Sequence, residues 1–270
     1  MTMFQSLILG LVQGVTEFLP VSSNAHLRIV TALLRWPDPG AAYTAVLQWG
    51  SLLAVIGYFL PDLGRMLRAG LEYLTDRSKP PSRDAHELLY LVLGTAPACV
   101  AGLLFRHAIE GSLRSLWVIA SALILVALLL AVVERRARHT RHFNDIRLRD
   151  AILIGCAQAF AIIPGVSRSG STLLAAMALG LTREAAARFS FLLSVPIVFL
   201  AGAFEFRKVL HAKDLHAGTM VIGLAAAAVA GYASIAWLLR FLRARSTIPF
   251  VIYRIALGAL LLALLATGHL

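Results

Sequence analysis

Six long apolar runs leave this 270-residue chain few ways to fold: Ala41 to Leu60, Leu88 to Phe105, Leu116 to Val133, Ala185 to Phe206, Met220 to Leu239 and Pro249 to Thr267. A helix rising 1.5 Å per residue needs ~20 predominantly apolar residues to cross ~30 Å of hydrocarbon. Each run approaches that length. A soluble fold could not bury so much apolar surface: 59% of the residues are hydrophobic and 14% charged, against roughly 25% charged in ordinary soluble domains. The reading is an all-α polytopic membrane protein with six full spans.

The formal net charge of +11 raises nucleic acid as a partner. The basic residues, however, sit in short loops and lack the interleaved aromatics that stack bases, so no nucleic-acid partner is expected. Topology explains the charge more simply, because positive residues collect in cytoplasmic loops. Arg65, Arg68, Arg77, Lys79 and Arg83 mark one such loop, and Arg135, Arg136, Arg138, Arg141, Arg147 and Arg149 a second. Arg240, Arg243 and Arg245 mark a third. The weaker turns with Arg106 and Arg114, and with Arg207, Lys208 and Lys213, then face outward. Cys99 and Cys156 lie in apolar surroundings and read as small packing residues, not as a disulfide or metal pair. The N-terminus has no basic leader region, and Gln13 and Glu17 interrupt its apolar run, so residues 1 to 35 read as part of the fold.

This threading works only if Phe4 to Arg35 and Asp150 to Gly180 each return to the side they entered. Both read as re-entrant hairpins with a polar break beginning at proline, Pro20 and Pro164. Irregular backbone at membrane depth is tolerated where it is buried in protein or lines a wet cavity, so the breaks should face inward. The halves also echo each other: Gly10, Gln13, Pro20, Ser22 and Ser23 against Gly155, Gln158, Pro164, Ser167 and Ser169. The expected organisation is one integral domain, 1–270, of two inverted repeats. Repeat 1 runs over about 1–134 with its hairpin at 4–35, a cytoplasmic loop follows at 135–149, and repeat 2 runs over about 150–270 with its hairpin at 150–180. Each repeat is a hairpin plus three spans, and transporters place midplane sites at such discontinuous helices.

Gln13 and Glu17 are four residues apart and share a helix face, with Gly10 and Gly14 letting a neighbour approach. A carboxylate at the centre of a span costs ~2.5–3.5 kcal/mol on insertion scales and is retained where it binds something. Hard oxygen donors at this spacing suit Mg²⁺ or Ca²⁺ better than zinc. Then come Ser22, Ser23, Asn24 and His26. Ser22 or Asn24 could simply cap the second hairpin helix. Ser23 and His26, three apart, suit a hydroxyl oriented or deprotonated by an imidazole, or an imidazole that itself attacks phosphorus. In the second break, Gly165, Ser167, Arg168, Ser169, Ser171 and Thr172 open onto an apolar helix. Free backbone N–H groups at a helix start plus a guanidinium fork form an anion site. A purely structural Glu17–Arg168 ion pair is the bland alternative. Gln48 either lines the cavity or bonds a neighbouring helix. Glu72, Asp76, Asp84, Glu87, Asp145 and Asp150 in loops, with Glu134 and Glu205 at span ends, read as solvated surface.

On these residues the chain resembles the undecaprenyl-diphosphate phosphatase family, also known for bacitracin resistance, over nearly its full length. The family's first motif falls on Gln13, Glu17, Pro20, Ser22, Ser23 and His26, and its second on Pro164, Gly165, Ser167, Arg168, Ser169 and Thr172. Asn24 stands where threonine is frequent, and Gln13 where many members carry glutamate, which removes one charge from the metal site. The resemblance implies a metal-dependent hydrolase of a polyprenyl diphosphate lipid in the bacterial plasma membrane, recycling the cell-wall lipid carrier at the outer face. Glu17, Ser23, His26 and Arg168 are the expected catalytic residues, with Gln13 and Glu17 the expected ligands of Mg²⁺ or Ca²⁺. Ser22, Gly165, Ser167, Arg168, Ser169 and Thr172 are expected to bind phosphate. Ser23, His26 and water stay open as the nucleophile, and the oligomeric state stays open too, a homodimer included. The rival reading is a transporter or flippase of a polyprenyl phosphate lipid.

Overall fold

The computed structural model describes residues 1–38, 40–78, 80–105, 115–211 and 216–268, with the side chains of residue 41 and residues 205–211 outside that description. Arg106, Arg114, Lys79 and Lys213 therefore lie outside the described residues, as do the side chains of Glu205, Arg207 and Lys208. Among the described residues the regular structure is helical, apart from one isolated bridge between Arg141 and Leu181.

Eleven α-helices are described: α1 (Met3–Phe18), α2 (Ser23–Leu33), α3 (Gly40–Tyr58), α4 (Leu60–Thr75), α5 (Arg83–Leu104), α6 (Leu116–Arg136), α7 (Leu148–Ala159), α8 (Arg168–Ala178), α9 (Arg183–His211), α10 (Ala217–Ala244) and α11 (Ile248–Ala266). Five of them, α5, α6, α9, α10 and α11, are long and apolar enough to cross a membrane. The run from Ala41 to Leu60, expected as a sixth straight span, is α3, which bends by 78° into α4. Pro61, in the first turn of α4, supplies the cause: proline donates no N–H and disfavours helix at the residue before it. The segment after the bend, expected as loop, is thus the amphipathic helix α4, which packs Met66 inward against α5 and leaves Leu60, Leu67, Leu71 and Leu74 exposed.

The short helices nest among the long ones. Helix α1 lies along α10 and α3, and α7 lies along α5; α3 also meets α9 and α10, α5 meets α9, and α6 pairs with α11. Glycines permit close approaches in both halves. A Cβ on Gly10 would come within 2.4 Å of the Gly223 carbonyl oxygen of α10, and one on Gly155 within 2.0 Å of the Gly94 carbonyl oxygen of α5. Backbones this close pack by dispersion, which matters in lipid, where no hydrophobic force drives helices together.

The arginine-rich end is closed by paired charges, which corrects the expectation of solvation for Glu87, Glu134 and Asp150, whereas Glu72, Asp76 and Asp145 are exposed as expected. Glu134 is buried and accepts from Arg183 and from the Thr247 hydroxyl at 2.7 Å. Asp150 is buried against Arg141, whose guanidinium also reaches the Leu179 carbonyl at 2.9 Å. Asp62 accepts from Arg188 at 2.8 Å, and buried Glu87 from Arg83 at 3.0 Å. Their places near the ends of the apolar runs did not imply exposure, because all four lie on helices, where arginine side chains pair with them. Cys156 departs from expectation in the other direction: it is exposed on α7.

Candidate active site

The two polar breaks have the same backbone plan. Helix α1 ends at Phe18, and Leu19 turns extended; Ser22 then takes φ 75°, immediately before α2 starts at Ser23. Helix α7 ends at Ala159, a 3-10 turn covers Phe160–Ile162, and Gly165 and Ser167 take φ 95° and 75° just before α8 starts at Arg168. Serine at positive φ costs of order 1–3 kcal/mol and persists where its surroundings hold it. Ser167 is held by its hydroxyl, which accepts from the Gly170 amide at 3.1 Å. Ser22 makes no such cap; its carbonyl accepts from His26 Nδ1 at 2.8 Å instead.

The first residues of the two second helices, Ser23 and Arg168, converge on one carboxylate. Ser23 Oγ donates to Glu17 Oε2 at 2.5 Å, and Arg168 Nη2 and Nε donate to Glu17 Oε1 at 3.2 and 3.4 Å. Gln13 Nε2 donates to Glu17 Oε2 at 3.0 Å. The Glu17 and Arg168 side chains are only 10% and 12% exposed, so the pair is largely screened from lipid and water alike. A second tie joins the breaks directly, from Ser169 Oγ to the Leu19 carbonyl at 2.8 Å.

Between the breaks lies a cavity of about 240 Å³. Glu17, Ser22, Ser23 and Asn24 line it from the first half, Pro164, Gly165, Ser167 and Arg168 from the second, and Gln48 from α3. Its apolar wall is Ala98 and Gly102 of α5 with Ile197, Val198 and Ala201 of α9. Both helices start at the arginine-rich end, at Arg83 and Arg183. The cavity therefore lies toward the opposite end of the molecule. Helices α2 and α8 both begin at it, and the first amides of a helix have no intrahelical acceptor, so two positive helix ends face the same space. With Arg168 they are the positive groups gathered at this end of the cavity.

Other expected residues sit behind this layer. Thr172 is buried and bonds the Ser190 hydroxyl at 2.5 Å and the Arg168 carbonyl at 2.8 Å, bracing the turn that carries Arg168. His26 is not aimed at Ser23: its Nδ1 is on the Ser22 carbonyl and its Nε2 meets the Tyr253 hydroxyl at 2.6 Å, with the two rings stacked at 5.6 Å. Gln13 is fully buried, and its Oε1 has no hydrogen-bond partner. As placed, the amide turns its nitrogen to Glu17 Oε2; Gln13 Oε1 and the Glu17 carboxylate would be the hard oxygen donors for Mg²⁺ or Ca²⁺. Among the described residues no cluster of three or more His, Cys, Asp or Glu could hold a metal, so a cation here would take its remaining ligands from phosphate and water, as Mg²⁺ commonly does.

Sequence reasoning missed Arg254. It is 0% exposed on α11, and its guanidinium spends its donors on carbonyls of both breaks and of α6: Pro20 at 2.9 Å, Gly165 at 2.9 Å, Val166 at 3.2 Å and Leu123 at 3.1 Å. The available signal was the lone basic residue inside the last apolar run, since an intramembrane charge marks a function by default.

Residues 6–260 match the family described as Bacitracin resistance protein BacA. The chain belongs to that family. Among its relatives are the undecaprenyl-diphosphatase of Myxococcus xanthus, 50% identical over 271 residues (100% of this chain, 91% of the relative), and that of Gloeobacter violaceus, 51% identical over 272 residues (99% and 93%). The undecaprenyl-diphosphatase of a Nocardioides species is 47% identical over 268 residues, covering 98% and 97%. Both breaks and Arg254 fall within the part matched to the BacA family.

Proposed function

We propose that this chain hydrolyses undecaprenyl diphosphate to undecaprenyl phosphate and inorganic phosphate, recycling the lipid carrier of peptidoglycan synthesis and thereby conferring bacitracin resistance. The observation that carries the mechanism is the Ser23–Glu17–Arg168 chain at the cavity. Ser23 Oγ attacks the terminal phosphorus while its proton passes to Glu17 Oε2; the new O–P bond forms as the anhydride P–O bond breaks, and the lipid phosphate departs. Water then cleaves the phosphoseryl ester, releasing phosphate and returning the hydroxyl to Ser23. Arg168 and the amides at the starts of α2 and α8 bind the equatorial oxygens, where charge develops. A divalent cation held by Gln13 and Glu17 would add charge neutralisation. His26 serves as a positioning residue that fixes the strained Ser22 peptide ahead of the nucleophile.

The architecture proposed is a pair of inverted repeats, six spans and two re-entrant hairpins. Its support is the pairing pattern: exchanging α1 with α7, α3 with α9, and α5 with α10 turns the α1–α10 contact into α7–α5 and the α3–α10 contact into α9–α5. In the inner membrane, with arginine-rich loops cytoplasmic, the cavity opens toward the cell exterior. The prenyl chain leaves along the apolar wall of α5 and α9, because each CH₂ returned to water costs ~0.8 kcal/mol.

The test is rapid quench of purified protein with substrate labelled at the terminal phosphate. An acid-stable phosphoserine is expected, lost in Ser23→Ala. An acid-labile adduct on His26, or full turnover by Ser23→Ala, would overturn the mechanism.

A further inference from the structure

Gln158 is a buried amide for which the catalytic scheme has no use. It lines the cavity, is only 2% exposed, and neither its Nε2 nor its Oε1 has a hydrogen-bond partner. Its counterpart in the first half explains the vacancy. Gln13 and Gln158 both stand nine residues before a serine at φ 75°, Ser22 and Ser167. One turn beyond Gln13 is Glu17, which accepts its amide at 3.0 Å, whereas one turn beyond Gln158 is Ile162. The second half thus keeps the amide without the acid that would satisfy it.

An unpaired amide away from water is costly, and an apolar side chain of the same shape would be at least as stable, so packing alone gives no reason for glutamine here. The position says what it would bind. Gln158 lies one turn beyond the Gly94–Gly155 contact of α5 and α7, where the cavity wall becomes apolar at Ala98 and Ile162. The terminal phosphate belongs at Ser23 and Arg168. The phosphate that remains with the prenyl chain must then lie between that end and the apolar wall.

We propose that Gln158 hydrogen-bonds the lipid-linked phosphate, the one common to the diphosphate substrate and the monophosphate product, and so fixes which phosphate faces Ser23. This assignment rests on the hydrolase reading above. A hydrogen bond to a charged oxygen is a strong one, and its loss corresponds to a tenfold or greater drop in affinity, roughly.

The test measures direct binding of three probes, undecaprenyl phosphate, undecaprenol and inorganic phosphate, to the full chain in detergent, for wild type, Gln158→Leu and Gln158→Met, with thermal midpoints and turnover recorded alongside. Expected in both variants is about tenfold weaker binding of undecaprenyl phosphate, unchanged binding of undecaprenol and inorganic phosphate, and a midpoint equal to or above wild type. Wild-type affinity for undecaprenyl phosphate in both folded variants overturns the assignment, as does an equal loss for undecaprenol. Absence of phosphate release from undecaprenyl diphosphate by wild type sinks the hydrolase reading instead, while the binding comparison still decides the role of Gln158.

Discussion

Replacing Arg254, which does not itself line the cavity, should disable the enzyme. Its three shortest bonds, to Pro20, Gly165 and Leu123 at 2.9–3.1 Å, are charge-assisted, at about 1.5–3 kcal/mol each. The gross contribution is therefore roughly 5–9 kcal/mol, opposed by a desolvation cost of several kcal/mol for a guanidinium with no carboxylate beside it. For Arg254→Met the difference leaves a destabilisation of about 3 kcal/mol, or on the order of 10 °C in the thermal midpoint. Arg254→Lys is the more informative variant. An ammonium keeps the burial cost but lacks the planar fork, so it cannot span carbonyls on α6 and on both breaks at once. It should be no more stable than Arg254→Met. Activity should fall about a hundredfold in both, because a 1 Å misalignment of reacting groups costs that much. The assay is phosphate release from undecaprenyl diphosphate by protein held well below its midpoint, beside differential scanning fluorimetry in the same detergent. Near-wild-type turnover and midpoint in Arg254→Lys would refute the alignment argument.

Glu17→Gln keeps the shape but removes the base, and turnover should fall by roughly 10²–10⁴ with the fold intact by thermal midpoint. Tyr253→Phe deletes the hydroxyl on His26 while retaining the ring stack, so kcat should drop about fivefold with KM unchanged, the effect of one ordinary hydrogen bond. Treatment with EDTA should abolish phosphate release and readdition of Mg²⁺ or Ca²⁺ restore it; undiminished turnover in EDTA would remove Gln13 and Glu17 from any metal role. Gly155→Ala should lower the thermal midpoint through about 1–3 kcal/mol of overpacking at the Gly94 carbonyl, with activity lost in proportion to unfolding.

Much of the site was legible because the bilayer makes polarity conspicuous. Glu17 and Arg168 stood out as charges at membrane depth, and the structure brings them together at 3.2 Å. Arg254 had the same signature but stood alone in an otherwise apolar run, with no motif around it to draw attention. The helix α4 was misread as loop because its leucines, at 60, 63, 67, 71 and 74, are spaced by polar residues that lower local hydropathy. Glu134 and Asp150 were misread as solvated because their arginine partners, Arg183 and Arg141, lie 49 and 9 residues away. The role of His26 turned on Tyr253, 227 residues distant, which no spacing rule could supply.

The separation of the site's members along the chain has a consequence for biogenesis. Glu17 is synthesised 151 residues before Arg168, and the Pro20 carbonyl 234 residues before the arginine that grips it. During insertion the first hairpin must wait in the membrane with its acid unpaired, and the geometry of its turn is secured only when α11, the last described helix, arrives. Assembly of the reactive centre is therefore coupled to completion of the bundle, so an insertion intermediate lacking the final helix pairs Glu17 with Arg168 yet leaves both turns without the Arg254 brace, and cannot act efficiently on lipid diphosphates already present around it.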